Sequence, residues 1–394
     1  MNGNEREFCG TVSCPLGEMN PDFRHTTPAR LWSPRSEPHS RSFAFISGSF
    51  PFRRFSRRLS GFACVLMVSL SGCWSASESE VVVYTAQDEE FAKPIFDEFA
   101  SRNAIVVRAK FDAESTKTVG LVTDLIQESD RPRADIFWNN EILNTLRLEK
   151  RGLLQSYSPE IARNYPAMYR AANGDWHGFA ARARILIVNT NLVKPAERPK
   201  SIEDLADARW RARIGIAKPL FGSTATHAAC LFAVWGDNRA KTFFRQLKEN
   251  QIQVLGGNKQ VAVEVGGGRL AFGLTDTDDA LEEVRGGQPV EIVYPDQQPD
   301  GIGTLFIPNT LAIIKGCPHP AAARRLVEYL LSPEVEARLA VGPSGQIPLN
   351  PQVNVKPKVE TPETIRAMKV DFAAAADKWD AAAQFLRDEF TGAD

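Results

Sequence analysis

Three carboxylates lie within four residues in the segment TDTDD at residues 275–279, directly after an apolar run that we predict to be a strand. Acidic residues are common in the first turn of a helix, where the helix dipole stabilises each by about 0.3–1 kcal/mol. That ordinary role accounts for one or two of the three. At the carboxyl end of a strand, where open α/β sheets bind ligands, the full set indicates recognition of a cationic group or a hard metal ion. Asp276, Asp278 and Asp279 are therefore candidate cation ligands.

A second candidate site is an anion-binding turn. Gly222, Ser223 and Thr224 stand between a predicted strand at residues 214–217 and a predicted helix. The free backbone amides and the positive dipole at such a helix start attract an anion. Capping of the helix by Ser223 or Thr224 is the ordinary alternative. The turn is thus a candidate for holding the negative part of a ligand.

Two arginines complete the anion-binding candidates. Arg182 and Arg184 are two residues apart on a predicted strand, so their side chains share one face. Guanidinium groups bind phosphate, phosphonate and carboxylate groups through paired hydrogen bonds. Arginines on an exposed strand are usually solvated, but the apolar residues 185–188 indicate a buried central strand. A paired or cleft-facing role is therefore favoured.

The elements around these residues alternate between short β-branched runs and amphipathic segments, which is the βαβ pattern of a parallel sheet. The predicted strands lie at residues 81–84, 105–107, 134–138, 181–188, 214–217, 252–255, 270–274, 290–294 and 312–314. The predicted helices lie near residues 91–99, 116–127, 139–150, 225–235, 238–249, 320–331 and 372–390, with a short one opened by a capping box at 201–204 and another after Asn258.

The length of the exported part predicts two lobes. About 315 residues from residue 81 onward exceed one usual core, so we expect an α/β protein with a ligand cleft between two lobes. Residues 81–180 with about 300–345 would form lobe 1. Residues 181–299 with about 346–394 would form lobe 2.

The composition excludes several classes of protein. The 394 residues are 43% apolar and 24% charged, which is typical of a globular chain rather than a disordered, collagenous or coiled-coil one. A net charge of -1 offers no general attraction for nucleic acid, so no nucleic-acid partner is expected. No apolar run reaches the roughly 18 to 20 residues of a membrane-spanning helix. The five His residues form no HExxH pair, which disfavours a catalytic zinc site.

The first 72 residues indicate export. They carry nine Arg, no Lys and five acidic residues, and four of the Arg directly precede the apolar run GFACVLMVSL at residues 61–70. A charged region followed by a short apolar run is the pattern of a secretory signal. We assign residues 51–72 to the signal peptide. Residues 1–50, rich in Ser, Pro and Arg, are predicted to be disordered or to follow a wrongly assigned start.

The tetrapeptide LSGC at residues 70–73 resembles the lipobox of bacterial lipoproteins, in which a signal peptidase cuts before the Cys and its sulfur carries diacylglycerol. Cys73 is therefore the predicted lipidation site, and residues 73–80 are the predicted tether. Acyl chains contribute about 0.8 kcal/mol per buried CH2, so they would hold the protein on a membrane surface. We expect an exported protein, periplasmic or at the cell surface, anchored to a membrane by lipid.

Four segments together resemble the family 1 extracellular solute-binding proteins, in the branch usually labelled ferric-ion binding. They are VYTAQ at 83–87, PLFGSTATH at 219–227, FGLTDTDD at 272–279 and IPNT at 307–310. The resemblance implies a type II periplasmic-binding-protein fold, in which two α/β lobes close on a cargo. It also implies an ABC importer permease as partner, a monomer, and binding with no catalysis and no required cofactor.

The candidate ligands differ from those of the ferric-binding relatives. Those relatives carry two consecutive tyrosines where this chain has Asp278 and Asp279, often a His where it has Asp88, and a Glu where it has the pair at 139–140. The resemblance therefore implies the fold and the transport role, whereas the residues argue against a tyrosinate ferric site.

Two kinds of cargo follow from these residues. One is Fe3+ or another hard cation, held with an anion by Asp88 and the three acidic residues of the 275–279 turn. The other is a zwitterion such as an aminophosphonate, with its ammonium group on those acids and its anion at residues 222–224. Asn140 and Asn258 complete the candidate ligand set. An exported hydrolase that uses the acidic turn is the alternative of another class, but the sequence lacks the partner motifs of such an enzyme.

Overall fold

The computed structural model describes residues 79–112 and 117–390. The predicted signal peptide, Cys73, the N-terminal segment 1–50 and most of the predicted tether lie outside the described residues. Within the described ranges, no helix is long and apolar enough to cross a membrane.

Strands and helices alternate along the described chain, as the sequence predicts. The strands are β1 (Glu80–Thr85), β2 (Val106–Phe111), β3 (Ile136–Asn139), β4 (Leu154–Gln155), β5 (His177–Asn189), β6 (Ile214–Ala217), β7 (Gln253–Leu255), β8 (Phe272–Asp276), β9 (Val290–Val293) and β10 (Phe306–Ile314). The α-helices are α1 (Glu89–Asn103), α2 (Val119–Gln127), α3 (Leu143–Lys150), α4 (Gly222–Trp235), α5 (Asp237–Glu249), α6 (Asn258–Gly266), α7 (Thr277–Arg285), α8 (Pro320–Leu330), α9 (Pro333–Val341) and α10 (Phe372–Phe390).

The strands are hydrogen-bonded in the order β2-β1-β3-β10-β5-β8-β6-β7, with β4 beside β10 and β9 beside β5. The long strand β5 changes partner along its length. Its residues 177–183 pair with β10, and its residues 184–188 pair with β8. We call β1 to β4, β10 and the first part of β5 the first lobe, and the second part of β5 with β6 to β9 the second lobe. The lobe boundaries drawn from the sequence stay a prediction.

The strand β5, which runs from one lobe to the other, and its first-lobe partner β10 are buried throughout. All thirteen residues of β5 and all nine of β10 are inaccessible to solvent or nearly so. Strands covered on both faces by helices read as continuous apolar runs, which is why β5 and β10 contain so few charged residues. Aromatic contacts fill the first lobe, where the ring of Trp138 packs edge-on at 5.6 Å from Phe96 and also contacts Phe179. The burial explains why the two arginines of β5 need partners.

Parallel pairing brings the candidate residues to one edge in each lobe. In the second lobe β6 runs parallel to β8, so their carboxyl ends meet, and the turn before α4 lies beside the start of α7. In the first lobe β1 runs parallel to β3, so Asp88 and Asn140 follow adjacent strand ends. Loops at the carboxyl ends of parallel strands are where open α/β sheets bind ligands.

Candidate functional site

A cavity of about 40 Å³ lies between the two lobes. Its size is room for about three water-sized spheres, so it fits a small ion or compact group rather than a large organic molecule. The lining residues come from both lobes and are Asp88, Lys117, Asn140, Arg182, Ala217, Lys218, Phe221, Gly222, Ser223, Gly256, Gly257, Asn258, Lys259, Asp276 and Asp279. Eight of the eleven residues predicted as ligands therefore line one cavity, and Arg184, Thr224 and Asp278 lie behind its wall.

The lobes touch each other around this cavity. The backbone amide of Gly222 donates to the carbonyl of Lys117 at 3.1 Å, and the Lys259 ammonium lies 3.2 Å from the Glu90 carboxylate. Gly222 has a φ of +55°, a conformation in which a side chain would be strained. These contacts join α4 and α6 of the second lobe to the first lobe. The cavity is thus enclosed by lobes that are in contact.

A buried ion pair forms the floor of the site. The Arg184 guanidinium donates to Asp276 Oδ1 at 2.8 Å and to Thr224 Oγ1 at 3.1 Å. The other carboxylate oxygen of Asp276 accepts from Ser223 Oγ at 2.6 Å and Asn258 Nδ2 at 3.1 Å. Burial alone would raise the pKa of Asp276, but the nearby guanidinium groups outweigh it and lower the pKa to about 2. Arg184 is fully buried, so it holds the acidic turn from behind.

The second arginine joins the acidic turn to the first lobe. Arg182 Nη1 lies 3.2 Å from Asp278 Oδ2 and 3.3 Å from Asp276 Oδ2. Its Nη2 donates to the backbone carbonyl of Asn140 at 2.6 Å. Arg182 lines the cavity, unlike Arg184, so only one of the two predicted arginines is positioned to face a ligand.

The remaining two acids of the turn are held in unfavourable positions for a negative charge. Burial, together with repulsion from Asp276 and Asp88, raises the pKa of Asp278 to about 6 despite the attraction of Arg182. Burial and the neighbouring carboxylates likewise raise the pKa of Asp279 well above its usual range. Asp278 Oδ1 is buried without a hydrogen-bond partner. Oxygens of the three acids lie within 4.8 Å of one another, which is a geometry that could share a proton or a cation.

Asp88 and the lysines set the charge of the rest of the cavity. Asp88 accepts from Lys117 Nζ at 2.6 Å, so its carboxylate is already paired. Lys218 also lines the cavity, with its ammonium 5.9 Å from the Phe221 ring. Among the described residues no carboxylate lies within 4 Å of Lys218. Lys218 is therefore the lining cation best placed to receive an anion.

The turn before α4 differs from a simple helix cap. The hydroxyl groups of Ser223 and Thr224 bond to Asp276 and Asn258 instead of to the first amides of the helix. The residue at the cap position is Phe221, whose side chain makes no capping bond. Amides in the first turn of a helix have no partner within it; that of Gly222 donates to the Lys117 carbonyl, which leaves those of Ser223 and Thr224 for an anion. Capping, the ordinary alternative from the sequence, is not what these hydroxyls do.

Sequence reasoning missed the lysines. Lys218 immediately follows β6 and Lys259 follows Asn258, so the rule that ligands bind at strand ends would have found Lys218. No sequence pattern marks Lys117 as a cavity residue, because its position beside the cavity depends on how the chain folds. His227 is buried with both ring nitrogens unpartnered, and burial lowers its pKa to about 3, so it is a neutral packed residue. The tyrosines are elsewhere, since Tyr84 donates to Glu128 and none of the lining residues in the described part is a Tyr or His.

Comparison with known proteins relates this chain to transport proteins. A family model described as "Bacterial extracellular solute-binding protein" matches residues 135–376. "Iron uptake protein A1" of Synechocystis sp. is 25% identical over 314 residues, which cover 73% of this chain and 85% of that protein. A Salmonella typhimurium periplasmic protein named for 2-aminoethylphosphonate binding is 23% identical over 293 residues, covering 72% of this chain and 83% of that one.

A solved structure shows the same fold. The crystal structure of iron-bound HitA from Pseudomonas aeruginosa matches with a TM-score of 0.72 and 23% identity, covering 79% of this chain and 99% of that one. This likeness confirms the predicted α/β fold with two lobes.

Proposed function

The chain belongs to the bacterial extracellular solute-binding proteins, and we propose that it is the cargo-binding component of an ABC importer, with ferric iron and a small oxyanion as its cargo. The observation that carries this proposal is the kind of side chain on each side of the cavity. Asp279, an acid whose pKa burial and neighbouring carboxylates raise, stands at one side of the cavity, and Lys218 with the first turn of α4 stands at the other. A cation and its counter-anion therefore fit the cavity together.

The cation would lie against Asp279, which lines the cavity, and would reach the neighbouring Asp278 just behind the wall. Hard cations prefer oxygen ligands, and the unpartnered Oδ1 of Asp278 is an oxygen that the protein itself leaves unsatisfied. Burial, together with repulsion from nearby carboxylates, raises the pKa of both acids. A trivalent cation removes that repulsion and replaces the protons. Asp88 and Asp276 contribute less, since Lys117 and Arg184 already neutralise them.

The anion would lie against the second lobe. A ferric ion in this cavity meets the positive charges of Arg182 and Lys117, and an oxyanion would offset them. The free amides of α4 and the Lys218 ammonium are donors that suit carboxylate or phosphate oxygens. The anion would also supply iron ligands in place of tyrosines. Several iron-named relatives, including the Synechocystis protein, support iron as the metal.

Closure of the two lobes around a cargo would account for a role in transport. Cargo that contacts both Asn140 of the first lobe and Ser223 of the second favours the arrangement in which the lobes touch. The closed protein would then present its cargo to an importer permease. A lipid at Cys73 would keep it on the membrane surface outside the cytoplasm, and we propose that it acts there as a monomer without catalysis.

A zwitterion such as an aminophosphonate is a second candidate cargo. The specific observation in its favour is that Arg182 occupies the acidic turn as a built-in cation, with two carboxylates as partners. An organic ammonium group would then bind Asp279, and the phosphonate would bind the α4 turn and Lys218. The Salmonella relative named for 2-aminoethylphosphonate supports this class.

Native mass spectrometry with elemental analysis of the purified protein separates the two. The iron proposal expects one iron and one anion per chain after loading with ferric citrate, without the strong visible colour of a phenolate-iron complex. An Asp279→Asn variant should lose the iron, whereas Arg209→Gln, at an exposed ion pair, should retain it. Stoichiometric binding of 2-aminoethylphosphonate without iron would replace the first proposal with the second. Conversion of cargo to a new product would overturn both and indicate an enzyme.

A further inference from the structure

A buried carboxylate that does not line the cargo cavity joins the two lobes. Glu141 accepts bonds from the amides of Leu143 and Asn144 at the start of α3, at 2.6 and 3.1 Å. Its Oε2 also accepts from the hydroxyl of Thr226 on α4, at 2.7 Å. Glu141 and Thr226 are both fully buried. One side chain of the first lobe thus holds the helix that begins with the cargo-site residues of the second lobe.

The C-terminal helix α10 covers the same two helices. Toward the second lobe its contacts are aromatic: Phe385 packs at 5.9 Å from Phe232 of α4, and Phe390 packs at 6.4 Å from Phe244 of α5. Lys378 adds an ion pair with Asp237 at 2.8 Å. Apolar contacts of this kind are extensive and do not depend on salt. The helix α10 is therefore attached to the second lobe.

Toward the first lobe α10 relies on charge. Arg147 of α3 pairs with Asp380 at 2.9 Å and lies over the ring of Trp379 at 5.3 Å, and Lys150 of α3 pairs with Asp377. The two aspartates are 82% and 70% exposed. Exposed ion pairs are weak and screened by salt. These contacts can break and form again as the lobes move.

We infer that α3, α4 and α10 form a second joint between the lobes, in addition to β5, and that this helical joint stabilises the arrangement in which the lobes touch across the cargo cavity. Thr226 acts as a positioning residue because it holds the first turns of α4 against Glu141 of the first lobe, and Arg147 and Lys150 act as positioning residues because they hold α10 against α3. The buried bond between Thr226 and Glu141 favours the closed arrangement, whereas the exposed carboxylates of the rim ion pairs can exchange their partners for water. The inference concerns the lobes themselves and does not depend on which cargo binds.

The test measures the distance between the lobes in the protein without cargo. Spin labels at Lys93→Cys on α1 and Val263→Cys on α6, in a Cys317→Ser background, report that distance by pulsed electron resonance. Thr226→Val removes the hydroxyl but leaves Glu141 bonded to the α3 amides. Arg147→Gln with Lys150→Gln removes the rim ion pairs. Arg245→Gln is the matched control, because its 2.9 Å ion pair with Glu389 joins α10 to the second lobe only.

We expect both joint variants to populate longer distances than the wild type and the control. Their affinity for ferric citrate should fall by about threefold to tenfold, because closure then costs more. The charge exchange Lys150→Asp with Asp377→Lys should restore both values. The proposal is overturned if the joint variants match the Arg245→Gln control in distance and in affinity. Loss of iron binding by every protein, wild type included, would refute the iron cargo but leave the distance result intact.

Discussion

The acidic turn contains two kinds of aspartate, and single substitutions should separate them. Asp276 receives four hydrogen bonds or ion pairs, from Arg184, Ser223, Asn258 and Arg182, at 2.6 to 3.3 Å. Asp276→Asn keeps the shape but leaves the Arg184 guanidinium buried without a carboxylate. Removing one member of a buried ion pair costs about 3–5 kcal/mol. We therefore expect a loss of that size in the free energy of unfolding.

Asp279 should respond in the opposite way. It accepts one bond, from Thr275 Oγ1 at 3.2 Å, and burial with the neighbouring carboxylates raises its pKa, so its charged form is disfavoured in the unliganded protein. Asparagine resembles a protonated aspartate, so Asp279→Asn should change the free energy of unfolding by less than about 1 kcal/mol. Affinity for ferric citrate should nevertheless fall by at least about tenfold, since a cation would lose a charged ligand.

Urea unfolding followed by tryptophan fluorescence measures the first quantity, and titration calorimetry measures the second. The comparison needs unchanged m values, so that midpoints report stability alone. Equal stability losses in the two variants would refute the assignment of Asp276 to the structure. If Asp279→Asn leaves the affinity for ferric citrate unchanged, the acidic residues of the 275–279 turn serve only as the acidic first turn of a helix.

Three further predictions follow from the same contacts. Asp278, with its pKa raised to about 6, binds more protons in the folded than in the unfolded state. The free energy of unfolding should therefore fall by up to about 3 kcal/mol from this group as pH rises from about 4 to 6, and Asp278→Asn should reduce that slope in urea melts, while Asp279, whose pKa is also raised, still contributes. Lys218→Gln should weaken ferric citrate binding by about tenfold in calorimetry at unchanged melting temperature. Cys73→Ser should move the protein from the membrane to the soluble fraction in immunoblots, and continued tight membrane association would exclude lipidation there.

Local patterns predicted most elements but not their exact form. The helix at residues 372–390 and the strand around residues 181–188 are present, the latter extended to His177–Asn189. The capping box at Ser201 is also present, yet the element that it opens is a five-residue 3-10 helix. The terminal strand predicted at 312–314 is the end of a nine-residue strand, Phe306–Ile314. Capping and periodicity are local signals, whereas the length of an element depends on what packs against it.

The cavity residues were partly predictable, because strand ends are predictable. Asp88, Asn140, the 222–224 turn and the 275–279 turn follow strands, and parallel pairing brings strand ends together. Lys117 follows no strand, and its place against Gly222 arises only when the lobes meet. The family resemblance drawn from four segments is confirmed by the family match.

The register between β5 and β8 cannot be read from the sequence pattern. It determines which acidic residue of the site each arginine neutralises. In the antiparallel pair of β5 and β8, Arg184 lies directly opposite Asp276. A guanidinium group buried there must take a carboxylate partner, so Asp276 is neutralised by the protein's own cation. Arg182 lies two residues nearer the first lobe, where it reaches the cavity and Asn140. The two arginines share one face of the strand, yet their roles differ. Arg184 stabilises the fold, whereas Arg182 faces the cavity. Of the three acids of the 275–279 turn, Asp278 and Asp279 then have raised pKa values, and they are the acids that we propose to lose protons when a cationic cargo binds.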